Sequence, residues 1–284
     1  MLLTMLAREL LTPHGFARMA EQNLVTDSED AVSAFARAGR PNSILSGVHA
    51  FTAELACRMI RAGDRVLDLG CGPASLLASI AVRNEQASFV GIDASPKMIA
   101  AGNAVVRDTG ARNVELRVED MCELSSVAPA SIDVVLSSMA MHHLADMRSL
   151  RYCFQAIERV MAPEARLVIL DFARLNSLKS IEYFVRRAIP RDEPVLERDY
   201  RASLRAAFSK QEFAAALSDG ARERVSLYTT APAPMMMVMM TRLPASRSTS
   251  SLRNASHVRS LPRARRADYW QLYLSLRLGG MPVR

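Results

Sequence analysis

The chain has 284 residues, half of them apolar and nearly a quarter charged, enough for one large domain with appendages and a sizeable buried core. These proportions exclude disordered, collagen-like and disulfide-scaffold chains, and the four cysteines (Cys57, Cys71, Cys122, Cys153) lie far apart without a C-x-x-C pair, which suits a reducing cytoplasm. The net charge of +7 is local: residues 242–284 carry nine arginines against one aspartate, while the other 241 residues sum to −1, so the main body offers no broad basic face.

The first nine residues have no basic stretch ahead of their apolar positions and do not read as a signal peptide. Residues 1–63 read as helical. Thr26 with Glu29 three positions on fits a capping box, opening a segment that Gly39-Arg40-Pro41-Asn42 closes. A second helix is expected over about 47–61. From Arg65 a rhythm sets in, with apolar runs at 66–69, 88–92, 114–118, 132–137 and 166–170. Helix-like stretches at 75–81, 96–107 and 147–161 separate several of them, and Ser95-Pro96 supplies a cap followed by a first-turn proline. Strands alternating with helices at this pitch predict an α/β fold, a mostly parallel sheet covered on both faces.

Beyond Asp171 the spacing predicts an amphipathic helix over 178–188, a charged loop at 191–194 and helix again over 202–208. A capping box at Ser209 and Glu212 starts another, and strands follow at 224–228 and 235–241. The methionine run at 235–240 reads as a buried strand. The longest uncharged stretch, 225–241, is interrupted by Pro232 and Pro234, so no membrane span is expected. Residues 243–266, rich in Ser, Arg and Pro, read as a flexible linker before a closing helix at 267–278.

The chemistry concentrates where strands end. Asp68-Leu69-Gly70-Cys71-Gly72 places an acid and two glycines between a buried strand and a helix. Glycine there allows a tight turn and close approach of a ligand to the backbone, and the acid provides negative charge for a cationic group. Asp93 ends the second strand, 21 residues after Gly72, where a carboxylate can accept both hydroxyls of a ribose. Asp120-Met121 follows the third, pairing an acceptor for an exocyclic amine with a flat apolar surface for a ring. The fourth strand runs into Met141-His142-His143-Leu144, and either histidine suits a general base near neutral pH, His142 lying closer to the strand end.

This set resembles the class I S-adenosylmethionine-dependent methyltransferases over about residues 50–172, with a weaker fit to 241, and most closely the small-molecule ubiquinone/menaquinone C-methyltransferase-like (type 11) group. The resemblance implies a Rossmann-like seven-stranded sheet of order 3-2-1-4-5-7-6 with an antiparallel last strand. It implies a core over 64–242, capped by helices from 1–63 and an insertion at 173–210, with 243–284 as a basic linker and C-terminal helix. It assigns S-adenosylmethionine to Asp68, Gly70, Cys71, Gly72, Asp93, Ala94, Met98, Asp120, Met121 and Ser137, and the catalytic role to His142 and His143. Ala74 stands where many members carry a third glycine, a small substitute expected to cost little. Cys71 reads as a small side chain rather than a nucleophile. Ser137-Ser138-Met139-Ala140 lacks the Asn/Asp-Pro-Pro-aromatic run of amino-methylating enzymes, the Pro-Cys of cytosine methylation is absent, and no acidic pair assigns a metal. The expected protein is cytoplasmic and methylates a small organic acceptor in the biosynthesis of a specialised metabolite or quinone-like compound, with a homodimer admissible and nucleic acid disfavoured. The rivals are an RNA or protein methyltransferase anchored by the Arg-rich tail, and a non-catalytic binder of the cofactor.

Overall fold

The computed structural model describes residues 2–12, 15–242 and 256–282. The apolar runs become seven strands: β1 (Arg65–Leu69), β2 (Ser88–Asp93), β3 (Val114–Val118), β4 (Ile132–Ser138), β5 (Met161–Phe172), β6 (Val225–Thr229) and β7 (Met236–Thr241). They form one sheet in the order 3-2-1-4-5-7-6, in which β7 alone runs antiparallel to its neighbours. That is the order and polarity the resemblance implies. Alternation within each strand sends Val66, Val134 and Val168 to one face and Leu67, Val135 and Leu167 to the other, which gives the sheet two apolar clusters.

The helices in chain order are α1 (Leu2–Leu11), α2 (Glu29–Ala38), α3 (Ser46–Met59), α4 (Ser75–Ala81), α5 (Pro96–Thr109), α6 (Met147–Val160), α7 (Leu178–Ala188), α8 (Pro194–Ala206), α9 (Lys210–Ala216), α10 (Asp219–Arg224), α11 (Ser256–Ser260) and α12 (Arg263–Leu278). The first cluster takes in α3, α4 and α12 through Phe51, Leu77 and Tyr269; the second takes in α6 and α9 through Phe154 and Phe213. Ser95 caps α5 by accepting from the Met98 N–H, with Pro96 in the first turn, and Ser209 and Glu212 form the reciprocal capping box of α9.

Four expectations change. Ser28 rather than Thr26 caps α2, accepting from the Ala31 N–H at 3.3 Å, because the helix begins at Glu29. Residues 15–28 are not helical but run as an irregular strap over the carboxyl edge of the sheet. Arg18 fastens that strap: its guanidinium donates to the carbonyls of Ala206 and Ala145 at 2.6 Å, to His142 at 3.0 Å and to Leu144, and stacks 3.8 Å over Phe208. The charged loop is shorter than expected, because Pro194 sits in the first turn of α8, where a missing N–H costs nothing. The linker of 243–266 also shrinks: α11 and the start of α12 occupy 256–266, and its residues 243–255 lie outside the described ones.

Candidate active site

The carboxyl ends of β1, β2, β4 and β5 open into a cavity of about 1030 Å³, roofed by the strap, α2, α7, α8 and α12. It is at the upper end of what small-ligand sites enclose. Gly70 (φ +67°) and Gly72 (φ +52°) turn the chain after β1 through left-handed backbone. A Cβ on Gly70 would collide with the Cβ of Ala140, whereas among the described residues the position a Cβ would take on Gly72 has no atom within 4 Å and opens into the cavity. Ala74, in the place of a third glycine, also has a left-handed φ of +55°, so it carries a strain of about 1–2 kcal/mol that a glycine would not.

Asp93 is fixed by two backbone donors, the Gly72 N–H to Oδ2 and the Ser95 N–H to Oδ1, both at 2.9 Å. Each oxygen keeps a lone pair for a further donor. Burial raises the Asp93 pKa and these two hydrogen bonds oppose the rise. Asp68, 4 % exposed, has its carboxyl pushed up to about 8 by burial and then by the neighbouring Asp93 charge. The Cys71 thiol is raised well above its ordinary value by burial and by both carboxylates, so it stays a thiol. Ala94, Met98 and Met121 line the same end of the cavity.

Two assigned residues stand elsewhere. Ser137 is buried and its hydroxyl donates to the Leu69 carbonyl at 2.9 Å, bracing β4 against β1; the cavity is lined by Ser138 instead, one residue on. Strand alternation makes that one-residue offset a change of face. Asp120 is exposed, accepts from the Cys122 N–H at 2.7 Å and borders a separate shallow groove beside α6, although its neighbour Met121 lines the main cavity.

Beyond this end β4 leaves the sheet through Met139, another left-handed residue (φ +54°), and enters a short 3-10 turn, Met141–His143. The tight turn lays the two imidazoles side by side, with centroids 4.4 Å apart and planes 34° apart, so both line the cavity. On a regular strand adjacent side chains point to opposite faces; the 3-10 turn brings these two together instead. His142 is 2 % exposed, with Nδ1 2.6 Å from Oδ1 of Asp171, a fully buried carboxylate that also accepts from the Met141 and Phe172 N–H groups. An acceptor-only partner places the imidazole proton on Nδ1 and leaves Nε2 to accept. Nε2 lies 3.8 Å from Glu21 Oε1, and His143 Nδ1 lies 3.0 Å from Glu21 Oε2. Burial alone would lower the His143 pKa, but Glu21, Asp171 and Asp93 outweigh it and raise it. Burial likewise works against the Glu21 carboxylate, yet the two histidines and Ser203 hold its pKa below the usual value.

Glu21, Arg18 and Asp171 were not among the expected residues. Asp171 carried a signal, being one more acid at the end of a strand. Glu21 and Arg18 lie in a segment with no strand or helix pattern to place them.

The sheet order, the glycine turn and the strand-end acids define a class I S-adenosylmethionine-dependent methyltransferase domain. The chain belongs to the methyltransferase domain family, whose model matches residues 60–217. Among curated relatives it is 33% identical over 125 residues to a 27-O-demethylrifamycin SV methyltransferase of Amycolatopsis mediterranei, covering 43% of this chain and 44% of that one. It is 29% identical over 171 residues to the ubiquinone/menaquinone biosynthesis C-methyltransferase UbiE of Vibrio parahaemolyticus, covering 57% and 64%. The chain thus spans less than two thirds of the length of either relative. Among solved structures, the plantazolicin methyltransferase BamL superposes with a TM-score of 0.56 at 13% identity over 84% of this chain and 97% of that one. A SAM-dependent methyltransferase from Aquifex aeolicus gives 0.50 at 18% over 69% and 92%. Both structural likenesses are of fold.

Proposed function

We propose that the protein methylates a small organic acceptor in the cytoplasm, with S-adenosylmethionine as donor. The observation that carries this reading is the division of one cavity into two ends: strand-end acids and an open glycine cradle at one, a paired imidazole cluster at the other. The first end fits the donor on its own geometry. Gly72 leaves backbone space that a side chain would fill, and Asp93 keeps free lone pairs. Asp68 would hold the ammonium, Asp93 the ribose hydroxyls, and Met121 with Ala94 and Met98 the adenine. The bound sulfonium supplies an electrophilic methyl group.

The remaining work belongs to the chain. The strap, α7 and α8 cap the acceptor and exclude water, so that rate comes largely from positioning. His142 holds Nε2 ready to take a proton from the acceptor, oriented by Asp171. His143, with its raised pKa, serves better as a cation beside Glu21 than as a base. The placement of α12 supports a small acceptor over an RNA anchored to the tail: its Tyr269, Tyr273 and Leu276 are buried, and its Asp268 and Gln271 border the cavity.

Titration calorimetry with S-adenosylmethionine and its demethylated product tests the reading. Both should bind, and Asp93→Ala should weaken binding by about one to two orders of magnitude through loss of two charge-assisted hydrogen bonds. Unchanged affinity in the variant would take Asp93 out of the site, and no heat from either ligand would end the proposal.

A further inference from the structure

We infer that Glu21, His142 and His143 form a site for a divalent transition metal, Zn²⁺ by ligand chemistry, with its open coordination position turned toward the acceptor. One ligand atom from each residue, a Glu21 carboxylate oxygen and a ring nitrogen of each histidine, lies within 4.8 Å of the others. His142 Nε2 lies 3.8 Å from Glu21 Oε1 and His143 Nδ1 3.0 Å from Oε2, near the spacing of roughly 3.4 Å that ligands about 2.1 Å from a tetrahedral ion adopt.

The orientation of the groups argues further. His143 Nδ1 is buried and has no partner in hydrogen-bond alignment, although a carboxylate oxygen stands 3.0 Å away. His142 offers Nε2 because Asp171 occupies Nδ1 at 2.6 Å. A carboxylate behind a histidine in this way fixes the tautomer and the ring plane of metal ligands. Glu21 is held from behind as well, its Oε1 accepting from the Ser203 hydroxyl at 2.8 Å. Arg18 ties the strap that carries Glu21 to the carbonyls of the turn that carries the histidines. Two of the three ligands, His142 and Glu21, therefore have their own support before any ion arrives.

Two imidazoles and one carboxylate make the three-ligand set of open, reactive zinc sites rather than the closed four-ligand set of structural ones. Both histidines line the cavity, so the remaining position faces the space beyond the donor end. With the ion bound, His142 Nε2 and His143 Nδ1 act as ligands in place of base and cation; an oxygen of the acceptor, from a hydroxyl or an enol, fits the open position, and the ion would lower its pKa so that the proton leaves to water. That last assignment rests on the proposed methyl transfer; the metal site itself does not.

The test uses tag-free full-length protein, stripped with chelator, dialysed and titrated with Co²⁺ and with Zn²⁺. Co²⁺ should give the intense visible bands of a four-coordinate site, saturating at one equivalent, and Zn²⁺ should bleach them. Glu21→Gln and His143→Ala should each weaken binding at least tenfold, and Asp171→Asn by roughly ten- to a hundredfold as a supporting residue. Melting curves identify any variant that fails to fold, and the parent spectrum decides the matter without them. A parent protein with no visible Co²⁺ bands and no Zn²⁺ heat overturns the site, leaving a buried acid–imidazolium pair. Binding at parent strength in folded Glu21→Gln overturns it equally. Titration of the same samples with S-adenosylhomocysteine reads the donor end separately, so failure there counts against the methyl-transfer reading alone.

Discussion

At Asp68 burial and charge oppose each other, and the conflict predicts a pH dependence. In an unfolded chain its carboxyl ionises near pH 4, whereas in the fold its pKa is pushed up to about 8. Between those values the folded, ligand-free protein holds a proton that the unfolded chain has lost. The contribution of Asp68 to stability is therefore intact below about pH 4 and falls as pH rises toward 8. A cationic ammonium reverses the preference, so donor binding at about pH 6 should release roughly one proton. Calorimetry in buffers of different ionisation enthalpy reads that release directly. It should vanish in Asp68→Asn, and heats independent of buffer in the parent would show that no ammonium meets Asp68. His142 makes a second prediction at this scale. His142→Ala should cut turnover about a hundredfold with donor affinity unchanged, and an undiminished rate would leave positioning as the whole mechanism. The strand-end acids were legible because strand ends in such sheets converge; Glu21 was not, because only the tertiary hydrogen bonds of Arg18 and Ser203 put it beside the histidines.

Among the elements, the β1 turn is the one least tolerant of change. Gly70→Ala should cost about 1–2 kcal/mol for its left-handed backbone alone, and more because the new Cβ would push against Ala140, just before the histidine turn. Gly110, the left-handed cap of α5, is the matching control: its φ is +73° but a Cβ there meets nothing within 4 Å among the described residues. Gly110→Ala should lower the melting temperature modestly and leave donor binding intact, while Gly70→Ala should lose both. Equal behaviour of the two variants would mean that backbone strain, not the approach of Ala140, sets the sensitivity. Regular elements were legible because local signals coincide at them, as at Ser95-Pro96 before α5 and Ser209 with Glu212 in α9. The strap over 15–28 was not, since a segment held by long-range side-chain bonds has no period to read. The start of α8 was obscured by Pro194, equally a loop residue and a first-turn residue.

Over the whole molecule, the part farthest along the chain bears on the site. The excess positive charge marks the tail as solvated in composition, yet α12 lays an apolar face on α3, where Tyr269 meets Phe51 edge-on at 5.8 Å. Helix and sheet connections meet closely there: a Cβ on Gly47 of α3 would strike the Arg265 carbonyl, Arg265 donates to the Ile44 carbonyl at 3.0 Å, and the Ala231 N–H donates to the Ser275 carbonyl at 2.9 Å. The face was legible from its spacing, but its destination was not, because nothing in a helical period says which groove it fills. Four side chains, Tyr269, Leu272, Tyr273 and Leu276, are buried by the contact. At about 1.5–3 kcal/mol each, set against a total stability of about 5–15 kcal/mol, their loss is severe. Deleting residues 243–284 should shift the urea midpoint far down. The protein that remains folded should still bind the donor, whose contacts come from β1 and β2, but should turn over acceptor poorly because Asp268 and Gln271 no longer bound the cavity. A truncated protein with parental stability and turnover would show that α12 neither supports the fold nor shapes the site. RNA binding by the full chain, steep in salt and lost on truncation, would instead move the acceptor from a small molecule to a nucleic acid.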